Sequence, residues 1–431
     1  MPPGPSPAGG RLLLRFYPFR CPVRDLPALL FSPCVETLFQ ILAILQILVG
    51  LYMIFDAVQW RGFARRKMLT DPGFYAPRTA VLCPCKGMEP GLEQNLLSLC
   101  EFNHQNYEVF FILASESDSA AGLVKRVASQ SKVKAHVVFA GRPDSCGEKV
   151  NNLRVAIGQV PPEFEVLVFA DSDGRPGRSW LHHLVAPLND LRTGATTTMR
   201  WLIPNRGNFA TLLLAAWNAP LVNMLKEKGP NFCWGGGTAI RRSIFDQVNV
   251  LEEWQGSISD DYSLTAAIER SGRPIVFIPE CLTVSFAETD FRGLMEFTNR
   301  QILITKIYSQ KMWAMAFASH ALFCITFVLG LIVTLSTVFA GLPALSFAGL
   351  TFLPFLLAAI RGSLRLATVS ELIPSYRAQI MGQSWVYIIL GLLTPFLYLA
   401  NFITSLLTRK VFWRGIHYEV ISPQQTRIIS Q

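Results

Sequence analysis

The sequence predicts an α/β domain built on a parallel sheet and inserted between transmembrane helices, and three observations carry that prediction. Apolar stretches long enough to cross a bilayer, which takes about 20 helical residues, flank a mixed central segment. That segment alternates short β-branched and aromatic runs with amphipathic ones, the rhythm of βαβ units. The chain of 431 residues is 51% hydrophobic and only 16% charged, whereas soluble domains carry about 25% charged residues. A disordered chain, a collagen-like chain and an ordinary soluble enzyme are thereby set aside.

From the N-terminus, residues 1–35 form a Pro/Arg-rich segment without a small-residue cleavage site, so no cleavable signal peptide is expected. A first span is expected over 36–58, its core running from Leu38 to Phe55 with only Gln40 and Gln46 as polar interruptions. The α/β domain occupies 70–305. An interfacial stretch, 306–313, follows, where Lys306, Tyr308, Lys311 and Trp313 suit the headgroup level. Residues 314–360 contain no Asp, Glu, Lys or Arg and must fold as two spans, with Gly341, Leu342 and Pro343 as the turn. Residues 361–383 read as a loop or interfacial helix, 384–407 as a further span, and 408–431 as a C-terminal tail.

Charge informs both partners and orientation. The 39 Lys and Arg against 30 Asp and Glu give a net +9, which suits an anionic membrane surface or ligand. No basic helix, zinc-finger spacing or aromatic RNA-binding signature points to nucleic acid. Nine cysteines at irregular spacing read as reduced thiols, with the bulk of the chain in the cytosol. Arg61, Arg65, Arg66 and Lys67 place the end of the first span in the cytosol, while Arg11, Arg15, Arg20 and Arg24 pull the other way. Four spans would also carry Arg409, Lys410 and Arg414 outside, unless one apolar segment is re-entrant or interfacial.

Within the domain, strands are predicted at Thr79–Cys83, Glu108–Ala114, Ala135–Phe139 and Glu165–Ala170, with amphipathic stretches such as Leu92–Phe102 and Ala120–Ala128 between. Parallel sheets bind ligands beyond the carboxyl ends of their strands. Asp171-Ser172-Asp173 lies directly there, and residues i and i+2 share a face, so both carboxylates address one edge. Two hard oxygen ligands suit Mg²⁺ or Mn²⁺ shared with a diphosphate; a solvated turn is the plain alternative. Asp260-Asp261 open a helix running to about Arg270, either as an acidic first turn favoured by the helix dipole or as a general base. Glu116 and Asp118 close the second strand, where carboxylates suit a base or ribose and equally a surface turn. Lys149, Asn151 and Asn152 open a helix where phosphate could be met. Trp234, Gly235, Gly236 and Gly237 allow close backbone approach to a ligand, although a mobile turn needs none. His182 and His183, beside Trp180, read as surface or packing residues. No HExxH, Walker A or GxSxG sequence occurs, which removes zincin, P-loop and serine-hydrolase readings.

In order, Lys86-Gly87-Met88-Glu89-Pro90, Asn95-Leu96, Tyr107-Glu108-Val109, Lys149-Val150-Asn151-Asn152, Asp171-Ser172-Asp173 and Asp260-Asp261-Tyr262 resemble a family-2-like glycosyltransferase of GT-A fold. More narrowly they resemble the ceramide glucosyltransferase branch, including bacterial relatives that act on lipids. The likeness spans about residues 75–310, and the membrane frame matches. It implies a nucleotide-sugar donor such as UDP-glucose, a divalent metal, and inverting transfer of one sugar to a lipid hydroxyl such as that of ceramide at the cytosolic face. By resemblance, Asp171 and Asp173 hold metal and diphosphate, and Asp261 is the catalytic base. Where the family has an Asp touching the nucleoside, this chain has Ser115, with Glu116 next and Asp118 beyond. The family's (Q/R)xxRW falls on Arg300-Gln301-Ile302-Leu303-Ile304, which keeps the first basic residue and lacks the Arg-Trp pair. Trp413-Arg414 in the tail is a candidate replacement. Two other readings remain: a non-catalytic nucleotide-sugar-binding membrane protein, and a processive polysaccharide synthase.

Overall fold

The computed structural model describes residues 33–430. Helix α1 (Pro33–Met68) is followed by β1 (Thr79–Pro84), α2 (Leu92–Leu99), β2 (Tyr107–Leu113), α3 (Ala121–Gln130), β3 (Ala135–Phe139), α4 (Glu148–Gln159) and β4 (Val166–Ala170). The apolar, β-branched runs form strands because they are covered on both faces: all five residues of β4 are buried. The order β3-β2-β1-β4 is parallel throughout. The chain thus winds to one side of β1 with β2 and β3 and to the other with β4. That reversal opens a crevice beyond the carboxyl ends of β1 and β4.

A second half completes the sheet. After β5 (Gly174–Arg175) and α5 (Trp180–Val185) come β6 (Ala195–Thr197), β7 (Arg200–Pro204), α6 (Phe209–Asn218) and β8 (Gly237–Arg241). Short helices α7 (Arg242–Gln247) and α8 (Val250–Glu253) precede α9 (Asp260–Arg270), β9 (Ile275–Phe277) and β10 (Thr283–Ala287). The main sheet runs β3-β2-β1-β4-β8-β6-β9, with β8 antiparallel to β4 and to β6. A smaller sheet, β5-β10-β7, sets Arg175 opposite Val284 and Arg200 opposite Thr283. It therefore carries the chain after Asp173 and the start of β7 to opposite flanks of one strand.

The membrane frame is α1 together with α10 (Phe291–Tyr308), α11 (Gln310–Phe339) and α12 (Leu345–Leu372), then α13 (Arg377–Gly382), α14 (Ser384–Ile388) and α15 (Thr394–Leu407). Among the described residues, three helices, α1, α11 and α12, are long and apolar enough to cross a bilayer. Small residues set their approach: a Cβ at Gly50 would lie 2.8 Å from Leu357 Cδ1, and one at Gly330 2.5 Å from Thr351 Oγ1. The turn between α11 and α12 holds Gly341 at φ 71°, as expected for Gly341-Leu342-Pro343. Residues 361–372, expected in a loop or interfacial helix, instead continue α12, because Leu364, Leu366 and Val369 extend its apolar pattern.

The segment 384–407 is not a straight span. It bends by 58° between its two helices. Near its start Gln383 Nε2 donates to Pro204 O at 3.0 Å and Tyr387 OH to Leu202 O at 2.8 Å. Near its end Lys306 Nζ donates to Ser405 O at 2.7 Å. The start is thus tied to the α/β domain and the end to α10, and the bend makes the segment a broken span or a re-entrant loop. With α1, α11 and α12 as the crossings, the basic clusters at 61–67 and 409–414 fall on the same side.

The expected tail is a sheet: β11 (Lys410–Trp413), β12 (Ile416–Ser422) and β13 (Gln425–Ser430), paired antiparallel. Its alternating Ile416, Tyr418 and Val420 turn inward and are buried. Tyr308, expected at the headgroup level, instead holds this sheet to the domain, its hydroxyl donating to Pro423 O at 2.9 Å and accepting from Ile258 N at 3.1 Å.

One half-buried ring contributes to the domain's pH response. Burial, assisted by His182, lowers the His104 imidazole to about 4. A depressed folded-state value means stability present above the unfolded value and lost as pH falls towards 4. Thermal melts between pH 7 and 4.5 are expected to show a smaller loss for His104→Phe than for the parent chain.

Candidate active site

The crevice gathers side chains from segments far apart in the chain. Lys149, in the first turn of α4, places its ammonium 2.8 Å from Asp171 Oδ1 and 3.1 Å from Asp260 Oδ2. It also donates to Gly235 O at 3.2 Å. Burial opposes the Lys149 charge, but Asp171 and Asp260 outweigh it and raise the pKa. Burial likewise opposes the Asp171 charge, and Lys149 overrides it, leaving that carboxyl lowered. Asp260 is 5% exposed; burial, only partly offset by Lys149, lifts it to about 6.

Asp173 faces a second cation, with Arg200 Nη1 3.1 Å from its Oδ2. Its other oxygen is buried without a hydrogen-bond partner among the described residues, as is Oε2 of Glu89. Burial pushes the Glu89 carboxyl up to about 7, against Arg414, with Asp173 and Asp171 adding to the rise. Three carboxylates are therefore crowded into one wall, two with an unused buried oxygen.

Asp261 is held differently. Ser259 caps α9 by accepting from Tyr262 N at 3.2 Å, and its hydroxyl donates to Asp261 Oδ1, which also accepts from Tyr262 N at 2.8 Å. No hydrogen bond to Asp261 Oδ2 occurs among the described residues, and the residue lines the crevice. The acidic first turn and the functional reading thus coexist: Ser259 is the cap, and Asp260 and Asp261 open the helix behind it.

Arg414 arrives from the C-terminal sheet. It sits at the tip of a two-residue hairpin with φ 48°, followed by Gly415 at φ 86°. Both residues have the left-handed backbone of a type I′ turn, a position that favours Asn-Gly and disfavours Arg. Its guanidinium donates to Lys86 O at 2.7 Å and pairs with Glu89. Burial works against its charge, yet Glu89, Asp173 and Asp171 hold the pKa raised. Next to it, Trp413 packs its ring 5.0 Å from the Arg300 guanidinium. Burial, then Arg200 and Arg414, brings Arg300 down to about 9. The sheet thus sets a Trp and an Arg where Arg300 faces the crevice.

Of the other predicted residues, Asn152 is buried with Oδ1 unpartnered among the described residues and lines the same crevice. Trp234 and Gly235 line it too. A Cβ at Gly235 would collide with Asp260 Oδ2 and Lys149 Nζ, and one at Gly236 would lie 2.5 Å from Asp171 Oδ2. Glu116 and Asp118 are not brought in. Glu116 is exposed and pairs with Lys125 at 2.6 Å, while Asp118 accepts from Gly87 N at 2.9 Å and Ala120 N at 2.8 Å. Asp118 therefore braces the loop carrying Lys86 and Glu89. Arg200 and the role of Glu89 had no local signal in the sequence.

From these groups a cavity of about 1340 Å³ continues into the helices, past Phe297 and Tyr398 to Gly50, Pro354 and Arg361. An α/β sheet with acidic side chains at its switch point is thus joined to helices long and apolar enough to cross a membrane. The family model for glycosyl transferase family 21 matches residues 38–426, and the chain belongs to that family. Among solved structures it is similar to a mannosyltransferase from Pyrobaculum calidifontis in complex with GDP-Man and Mn²⁺, at 16% identity over 86% of this chain and 98% of that one, TM-score 0.44. It is also similar to glucosyl-3-phosphoglycerate synthase from Mycobacterium tuberculosis, in complex with Mn²⁺, UDP and glucosyl-3-phosphoglycerate, at 15% identity over 57% and 82%, TM-score 0.34.

The close fit at Gly235 is testable. Gly235→Ala is expected to displace the Lys149–Asp260 pair and weaken nucleotide binding by roughly 10-fold, on the order of 1.4 kcal/mol, read by calorimetric titration with UDP. Gly207→Ala, where a Cβ meets nothing within 4 Å, is the matched control.

Proposed function

We propose that the protein is an inverting transferase that moves one sugar from a nucleotide-sugar, UDP-glucose or a close analogue, to a lipid hydroxyl such as that of ceramide, at the cytosolic membrane face. One observation carries the reading: the carboxylate crevice and the space among the helices are a single cavity. A lipid entering from the bilayer would reach Asp261 without leaving the protein. The basic residues of 61–67 and 409–414 lie on the domain's side, which supports a cytosolic domain.

In this reading the acceptor hydroxyl attacks the anomeric carbon as the bond to the diphosphate oxygen breaks, and its proton passes to Asp261 Oδ2. The fixed Oδ1, held by Ser259 and Tyr262, keeps the carboxylate oriented. Lys149, Asn152 and Arg414 bind the donor's phosphates, and Asp260 sets the position of Lys149. Arg300, stacked with Trp413, closes the acceptor side. Asp171 and Asp173 would hold a divalent ion, Mn²⁺ or Mg²⁺; the unused buried oxygen of Asp173 and the hard-oxygen donors fit one. Such an ion supplies charge neutralisation of the departing diphosphate. No cluster of three metal-ligating side chains occurs among the described residues, so the chain itself would contribute these two carboxylates.

The deciding experiment measures UDP release and lipid-linked label from purified protein in detergent with mixed membrane lipids. UDP-glucose, UDP-galactose and UDP-GlcNAc are offered in turn with Mn²⁺. Lipid-dependent release is expected, giving one added sugar, and Asp261→Asn should lower it by about 10²–10⁴ while UDP still binds. A ladder of products would instead indicate a polymer synthase, and metal-dependent UDP binding without release would indicate a non-catalytic binder. Arg414→Ala is expected to raise the donor KM at least ~10-fold, with Arg414→Lys intermediate; an unchanged KM would remove the hairpin from donor binding.

A further inference from the structure

The membrane part of the cavity contains two arginines for which the reading above has no use. Arg361 and Arg365 lie on α12, four residues apart, and both line the cavity. Neither forms a hydrogen bond or ion pair among the described residues, and Nε of each is buried without a partner. Arg365 is only 6% exposed. The nearest carboxylate on α1, Asp56, is engaged by Lys226 at 2.5 Å. Asn223, on the same cavity, leaves both amide atoms buried and unpaired.

Depth makes this arrangement unusual. Glu371 marks the domain end of α12, where it meets Arg61 at 2.6 Å and Arg65 at 2.8 Å. At 1.5 Å per residue, Arg365 lies roughly 9 Å and Arg361 roughly 15 Å further along the helix axis. Charged side chains at such depth are costly and face cavities or partners. Two like charges four residues apart on a helix also repel each other. A single anion bridging both guanidiniums would relieve both penalties, and a phosphate ester matches their planar forks.

We propose that Arg361 and Arg365 bind the anionic headgroup of a membrane lipid inside the cavity. The inference rests on the reading that lipid enters this space. Two sources share the chemistry: an acceptor that itself carries a phosphate, and an anionic phospholipid lodged beside a neutral acceptor.

The test uses the full chain in phosphatidylcholine nanodiscs, titrated with dioctanoyl phosphatidylglycerol, with dioctanoylglycerol of the same chains, and with inorganic phosphate. Binding is read by native mass spectrometry and thermal shift. Phosphatidylglycerol is expected to bind at least ~10-fold tighter than the neutral lipid. The Arg361→Gln/Arg365→Gln double variant should lose that preference and Arg365→Lys should retain part of it. UDP binding by each variant reports that it is folded. Equal binding of the two lipids by the parent, a double variant that keeps the preference, or inorganic phosphate binding as tightly as the lipid would each overturn the proposal. Labelled UDP-sugar then separates the sources: label on phosphatidylglycerol marks it as acceptor, and label on a neutral lipid only when phosphatidylglycerol is present marks a resident lipid. Persistence of the anionic preference with no label on any lipid would sink the transferase reading and leave the anion site standing.

Discussion

One buried ammonium organises the crevice. Lys149 can be charged in that position only because Asp171 and Asp260 both face it, and removing either would leave a buried charge poorly paired. The contact joins the first turn of α4, the end of β4 and the start of α9, three segments far apart in sequence. Gly235 is part of the same constraint, since its carbonyl takes the third contact and a side chain there would displace the pair. The C-terminal sheet docks on this helix end too: Tyr418 OH accepts from Glu148 N at 3.2 Å, and Glu148 pairs with Lys86 at 2.9 Å. Both walls of the crevice therefore take their spacing from the start of α4.

A second set of polar contacts fixes the crevice against the bilayer. Trp60 donates to Leu225 O at 3.0 Å, Arg66 meets Glu227 at 2.7 Å, and Lys226 meets Asp56. All three tie α1 to the loop after α6, which leads directly to Trp234 and Gly235. Glu371 of α12 holds the same stretch of α1 through Arg61 and Arg65. Exposed surface ion pairs contribute little to stability, but several converging on one helix end define a register. That register keeps the acidic residues at the mouth of the space among the helices, which in the proposed reading would align a lipid hydroxyl without a search in solution.

What was legible in the sequence follows from the range of the forces involved. The parallel strands were legible because a strand buried on both faces is a continuous apolar run. Asp171 and Asp173 stood out because they end such a run. Local periodicity cannot report Arg200, which reaches Asp173 only because β10 lies between β5 and β7. It left Glu116 equally a ribose contact and a surface turn, and in the fold that carboxylate pairs with Lys125 on α3. The C-terminal sheet was written in the chain as alternating Ile416, Tyr418 and Val420 after Arg414-Gly415. The Arg in place of Asn at that turn was its signal, because a strained tip residue is kept where it is used.

The charge around the crevice bears on the departing diphosphate. Lys149 is already shared by Asp171 and Asp260, Arg200 by Asp173, and Arg414 by Glu89. Each of these three cations already faces a carboxylate, and burial above all lifts Glu89 to about 7, with Asp173 and Asp171 adding to the rise and Arg414 opposing it. A diphosphate entering here would meet repulsion unless positive charge entered with it or carboxylates were protonated. Protonating Glu89 would free Arg414 for phosphate. Asp171 and Asp173 remain the two groups whose oxygens suit a hard divalent ion. In the proposed reading nucleotide and cation would therefore enter together, and Arg414 would exchange its carboxylate partner for phosphate as they bind.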